Sequence, residues 1–362
     1  MDGKLASVGL ANPHWPELLG LRNSALAEIL VATLRRLAIM AVQLLIVAIV
    51  LFVVLRLLPA DPLAMLLPPS ATNEDAARMR HALGFDRSIF EQFLIWLQHA
   101  IHFDFGDSIQ ARVPVSSLIA SALPMTLELV FCGLVLGIVL GMGSGLASFY
   151  WRGGIVERLT ETLNSLGQAC PDFLWSILLI LLFGLAVPLL PFVGPIDSHM
   201  IVPSRTGFLL VDSLLAGRFD AFGSRVAHLV MPAIALSMTK APLVMRVLRS
   251  SLIEAYSDEY VMAARLRGIS EGRILFRHAL RNAALPTVSL IGVQAGQIFG
   301  GTLLIEVIYG FPGMGSLMIG AIRTFDLPLI QGVALTYCAV VLALNSLVDL
   351  AFLWLDPRLR AR

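Results

Sequence analysis

The chain has 362 residues, 57% of them hydrophobic and 14% charged, and a mean hydropathy of +0.82. That balance excludes a soluble globular domain and fits a multi-span membrane protein. The net charge of +1 gives no case for nucleic-acid binding, because the basic residues are partitioned along the chain rather than gathered on one surface.

Residues 1–33 form an N-terminal extension with Pro13, Trp15 and Pro16, followed by a weakly amphipathic stretch from Glu17 to Leu34; it reads either as a surface helix or as disorder. Arg35 and Arg36 then precede the first span, Leu37 to Leu58, which at about 1.5 Å per residue covers ~33 Å, enough for a bilayer core of about 30 Å. A secretory signal has a shorter apolar core, and no small-x-small cleavage site follows. Further spans are expected at about 123–149, 173–190, 229–248, 285–309 and 329–355. Six spans put both termini on one side. With the N-terminus inside, sixteen Lys and Arg residues fall in inner segments and eight, including Arg225, in the longer outer ones, so both ends are expected to be cytoplasmic.

Asp104 to Ser108, reading DFGDS, lacks the alternating carboxylates of a calcium loop and reads as a tight turn at Gly106. The second span carries Gly133, Gly137, Gly141 and Gly145, a four-residue repeat that lines one helical face for close packing, within the bundle or against a second subunit. Gly141 to Gly145 has no strand before it and is not a dinucleotide loop. Lys240 sits at the centre of the fourth span, where a lysine costs about 2.5–3.5 kcal/mol and each Leu, Ile or Val returns ~0.3–0.6. That helix is therefore expected to be buried, with Lys240 serving a carboxylate or helix end, or facing a polar cavity. Glu128, Gln294, Gln297, Glu306, Asn345 and Asp349 are polar positions within spans, and each reads equally as lining a translocation path or as bonding helix to helix; Lys240 is a further path candidate, for which the structural role is the favoured reading.

Catalytic and metal chemistry finds no footing. Cys132, Cys170 and Cys338 are far apart in apolar runs, without metal spacing, and read as small buried residues. The histidines form no i, i+4 pair, and His-Glu-x-x-His and a nucleophile elbow are absent. Neither Lys4 nor Lys240 lies in a phosphate-cradling glycine loop, so the chain is not its own ATPase.

The segment from Glu254 to Pro286 differs from the rest. It carries Arg265, Arg267, Arg273, Arg277 and Arg281 among Val261, Met262, Leu266, Ile274 and Leu275, which predicts two short amphipathic helices broken at Gly268, a docking element rather than a span. Its first helix, Tyr256 to Arg267, is expected to present Tyr260, Met262, Ala263 and Ala264 to a groove, with Asp258, Glu259, Arg265 and Arg267 at the rim.

A membrane chain with such an element between its fourth and fifth spans resembles the permease subunits of bacterial ABC importers. Their Glu-Ala-Ala, three residues, Gly motif falls on Met262, Ala263, Ala264 and Gly268, with Met262 in place of the glutamate and Arg281 in place of a later proline. Both departures are features of the dipeptide, oligopeptide and nickel branch, and the run Asp258, Tyr260, Ala264, Gly268, then Arg277, His278, Ala279, Leu280, Asn282 and Pro286 is similar to that branch's loop. Asp104–Ser108, Pro124–Glu128, Glu306–Gly315, Leu347–Leu350 and Asp356–Arg358 look like further motifs of the branch, in the same order, so the resemblance covers about 34–360.

It implies an all-α polytopic permease of the type I importer kind, with six transmembrane helices and cytoplasmic termini, in the bacterial inner membrane. It also implies a second homologous permease, two ABC ATPase subunits that use ATP and Mg, and an extracytoplasmic solute-binding protein. This chain itself would bind no cofactor and hold no catalytic or metal residue. A peptide is the favoured solute, with nickel chelates, opines and glycosides open. The rival reading is an ATP-independent secondary transporter or channel, for which Pro232 and Pro242 offer points to break the fourth span.

Overall fold

A backbone in hydrocarbon must satisfy its own N–H and C=O groups, which leaves helices as the economical solution for each apolar run. The computed structural model describes the backbone of residues 15–57, 74, 78, 81 and 86–355, with side chains in these ranges except at 15–30, 32, 349 and 351–355. Among the described residues the regular elements are all helices, joined by turns and loops, with one isolated bridge between Asp107 and Pro114. The first fourteen residues, the Asp349 side chain and the Asp356–Arg358 motif lie outside that description.

Helix α1 runs from Trp15 to Leu57. The described part of the extension is thus continuous with the first span, whose apolar part is Thr33–Leu57. Most of its described side chains are exposed, as suits a helix facing lipid; among them Ala48, Phe52 and Leu55 form the buried seam. Phe52 meets Phe93 and Trp96 at ring distances of 5.4 and 5.7 Å on α2, Ile89–Ile101. Sequence reading left α2 inside an outer loop, being too short to span. It is opened by a capping box in which Ser88 accepts from the Glu91 N–H and Glu91 accepts from the Ser88 N–H.

Helix α3, Val115–Tyr150, and helix α7, Phe219–Ser257, make the most extensive helix pair in the chain. The glycine stripe decides their fit. A Cβ on Gly133 would stand 2.9 Å from Leu236, and one on Gly141 2.5 Å from the Val244 Cβ. The stripe therefore packs inside the chain, which settles the alternative the sequence left open. Helix α7 passes unbroken through Pro232 and Pro242, removing the break points on which the secondary-transporter reading drew.

The third span departs from expectation. The helix in the expected 173–190 range, α5 (Asp172–Ala186), ends four residues early and is preceded by a second helix, α4 (Ile155–Ala169), the two being bent by 107° at their junction. Pro171 causes the break, since it has no N–H and pushes the residue before it out of the helical region; Cys170 is accordingly extended, at φ −116° and ψ 144°. Among the described residues five helices are long and apolar enough to cross a membrane, six if the bent pair counts as one span. After the short α6, Leu209–Leu215, and α7 come α8, Glu259–Leu266, α9, Glu271–Tyr309, α10, Met314–Arg323, and α11, Leu327–Leu355. The second short helix expected in the basic segment is the beginning of α9, which continues through a π-wound stretch and Pro286 into the span.

Polar loops are tied down by buried carboxylates. The Ser108 hydroxyl donates to Asp326 at 2.5 Å, and Asp326, fully buried, lies just ahead of α11. Gly106 makes the expected turn at φ +79°. On the other loop Asp212 accepts from the N–H groups of Arg205, Thr206 and Gly207 at 2.9–3.1 Å and from the Thr206 hydroxyl at 2.8 Å. Burial opposes its ionisation, but the bonds from Thr206, Arg205 and Gly207 outweigh that and hold its carboxyl below the usual range.

Candidate functional site

Helix α8 begins directly after α7, with the extended Asp258 as its N-cap residue, and ends in a left-handed turn at Gly268, φ +72°. The Ile269 N–H reaches back to the Ala264 carbonyl at 3.1 Å and the Gly268 N–H to the Arg265 carbonyl at 2.9 Å, the paired bonds of a Schellman stop. Val261 and Ala264 face inward onto Ile274 of α9, with Tyr256, Tyr260 and Ile269 around them. Across the turn, Arg265 binds both oxygens of Glu271, at 2.6 and 3.3 Å, and its guanidinium lies 5.8 Å from the Tyr256 ring. The Glu271 hydrogen bond raises the Arg265 pKa further above its ordinary value. Helix α8 is thus clamped to the start of a 39-residue helix, and a push on one is transmitted to the other.

The outward face differs in part from the sequence reading. Ala264 is turned inward and Tyr260 is half-buried, so neither is offered to a partner. Met262, 59% exposed, and Leu266, 82% exposed, stand one turn apart and form an apolar edge beside exposed Ala263, with Asp258, Glu259 and Arg267 around it. Leu266 was missed as a contact residue; its i, i+4 spacing from Met262 was the available signal. Arg277, Asn282 and Pro286 are exposed along α9 and His278 is half-buried.

The polar residues within spans do not converge on one cluster. Glu128, 5% exposed, accepts from Arg225 at 2.8 and 3.2 Å and from the Leu210 N–H at 2.6 Å. Arg225 is fully buried, donates to the Pro195 carbonyl at 3.0 Å and lies 4.7 Å from the centre of the Phe311 ring. It was counted among outer-loop arginines; burial beside a carboxylate is a tertiary event with no local signal. Glu306 is fully buried as well. It accepts from the Thr126 hydroxyl at 2.6 Å and from the N–H groups of Gly315 and Ser316 at 2.7 and 3.3 Å, which seats the N-terminus of α10. Both carboxylates are occupied in holding helices together. Asn345 lies against Gly296, where a Cβ would come within 2.4 Å of its amide oxygen. Gln294 is buried, with its carbonyl oxygen lacking a partner, and Gln297 is exposed. Lys240 is half-buried, its Cβ 3.5 Å from the position a Cβ would take on Gly137, and it forms no ion pair among the described residues.

Fold and site together define a polytopic α-helical membrane protein with a surface helix rigidly coupled to one span. Residues 133–361 match the family model of the binding-protein-dependent transport system inner membrane component, and residues 29–130 match its N-terminal companion. The chain belongs to that family and is a multi-pass inner-membrane protein. It is 37% identical over 330 residues to a putative peptide permease protein of Brucella suis, covering 90% of this chain and 98% of the relative. It is 32% identical to the probable D,D-dipeptide transport system permease protein of Escherichia coli K12, covering 86% and 92%. The dipeptide transport system permease protein of the same strain is 31% identical, covering 90% and 98%. The resemblance read from the sequence is borne out at the level of the family.

Proposed function

We propose that this chain is one of two permease subunits of an ATP-driven importer of di- or oligopeptides. Helix α8 receives a cytoplasmic ATPase subunit, a second homologous permease completes the translocation path, and a solute-binding protein delivers the peptide from outside. ATP and Mg belong to the ATPase partners, and both termini of this chain lie in the cytoplasm with α8. The peptide assignment draws on the relatives' names, and the orientation draws on the excess of arginine in the segments on the α8 side.

The single observation that carries the coupling role is the exposed Met262–Leu266 edge on a helix clamped to α9 by a Schellman stop and the Arg265–Glu271 pair. An apolar pair that exposed is a docking edge rather than a lipid anchor, because the residues around it are of both charge signs. Closure of the ATPases would drive α8 as a lever and swing α9 between inward-open and outward-open arrangements. Co-purification of the tagged chain in mild detergent tests this. Recovery of a second permease and two ATPase copies is expected, with the ATPases lost in Leu266→Asp while the chain stays in the membrane. Recovery of the chain alone, moving peptide in liposomes without ATP, would overturn the proposal.

A further inference from the structure

The junction of α4 and α5 places a carboxylate against α7 and α9 that has no basic partner among the described residues. Asp172 opens α5 immediately after the break, and the Thr239 hydroxyl donates to its Oδ1 at 2.5 Å. Thr239 stands at the middle of α7, Phe219–Ser257, so the carboxylate lies about halfway along that helix and within the expected fourth span. Its Oδ2 is 2.5 Å from the position a Cβ would take on Gly301, so only glycine at that point of α9 admits it. Among the described residues no Lys, Arg or His pairs with it. Lys240, next to Thr239, instead has its Cβ against Gly137 of α3. Glu128, by comparison, has Arg225, and Glu306 has three donors.

Three neighbouring features make this a place where a passing group can stop. Asp172 is partly exposed rather than sealed. On α9, Gln297 and Gly300 are exposed beside Gly301, and a Cβ on Gly300 would meet nothing within 4 Å. The half-buried Cys170 stands at the break itself. Broken helices at mid-depth are tolerated where they line a cavity, and transporters use them to hold solute groups. The N-terminus of a half-helix by itself favours anions; Asp172 at the start of α5 reverses that sign.

We infer that the α4–α5 break is a cation-accepting subsite on the translocation path, in which Asp172 receives a positively charged group of the solute in transit. The inference deepens the peptide-importer reading and rests on it for the identity of that group, a basic side chain of the peptide. Thr239 orients the carboxylate and Gly301 leaves room for it.

Cys170 supplies a probe that does not depend on transport. In the intact complex, with Cys132→Ser and Cys338→Ser, Cys170 is reacted with a trimethylammonium and a sulfonate methanethiosulfonate of similar size. Relative to its rate with a small free thiol in water, the cationic reagent is expected to gain roughly tenfold over the anionic one, the effect of one nearby negative charge in a partly hydrated site, and Asp172→Asn should abolish that gain. Asn keeps an acceptor for Thr239, so folding is preserved. In parallel, Asp172→Asn should lower uptake of Ala-Lys about tenfold relative to Ala-Glu. Equal labelling by the two reagents, a preference that survives Asp172→Asn, no labelling by either, or an equal loss of both dipeptides would overturn the inference. Should the complex move neither dipeptide while the labelling preference holds and vanishes in Asp172→Asn, the peptide reading falls and the cation subsite stands.

Discussion

Gly268 offers the sharpest test of α8 as a lever. Its φ of +72° is a left-handed conformation, and a Cβ built there meets nothing within 4 Å. Substitution therefore carries no clash with neighbours, and its cost is the backbone term alone, about 1–2 kcal/mol for an ordinary L-residue. Asn tolerates this region, so Gly268→Asn should cost least, Gly268→Ala should cost the full term, and β-branched Gly268→Val should cost more. Helix α8 has 8 residues, too few to be stable unsupported. It stays in place through Val261, Ala264 and Ile269 packing on Ile274 and through the Arg265–Glu271 pair, so about 1–2 kcal/mol shifts its docked population ~5- to 30-fold. Hydrogen exchange at the Val261–Leu266 amides should accelerate in the order Asn, Ala, Val, with ATP-driven uptake falling in the same order and insertion unchanged. Equal behaviour of all three variants, or normal uptake with Val, would refute the reasoning.

Three further outcomes are expected. Arg225→Met should destabilise the chain by about 3–5 kcal/mol because it strands a buried carboxylate, whereas Glu128→Gln/Arg225→Met should recover much of the loss; thermal unfolding in detergent measures both, and a double variant no better than the single would contradict the ion-pair account. Gly141→Val should force α3 and α7 apart, since its Cβ would fall 2.5 Å from Val244 and 2.7 Å from the Ala241 carbonyl, with a loss of about 1–3 kcal/mol or more and reduced assembly; unchanged melting would remove the glycine stripe from the account of packing. The Asp212 carboxyl has a lowered pKa in the fold, so its contribution is present above the usual carboxylate value of about 3.9 and is lost as pH falls through the lower folded value. Proteolysis of the 205–216 loop should therefore rise only in strong acid in the wild type and be high at neutral pH in Asp212→Ala; equal protection of the two at neutral pH would argue against it.

Much of this protein is legible in its sequence, for reasons local to the chain. Hydropathy reports what hydrocarbon demands of each segment separately, so the second, fourth, fifth and sixth spans were placed within their helices, while the first overran its helix by one residue and the third by four. The Gly268 stop was legible because a left-handed turn selects glycine whatever surrounds it. The importer resemblance was legible because its motifs recur in fixed order. What the linear pattern did not carry was pairing. Arg225 looks like any loop arginine until α3 brings Glu128 within 2.8 Å, and Asp326 gains its role only when Ser108, far away in sequence, folds onto it. The third span was expected to begin at Phe173, and that α4 joins it in a bent pair across Pro171 is a matter of geometry, just as which face of α8 is outward depended on Ile274 from the next helix. Composition and periodicity determined that this chain crosses the membrane as helices and where it turns. Only the tertiary structure decided which polar groups neutralise one another and which, like Asp172, have no counter-charge among the described residues, because burial and partnership belong to pairs of segments and no single segment encodes them.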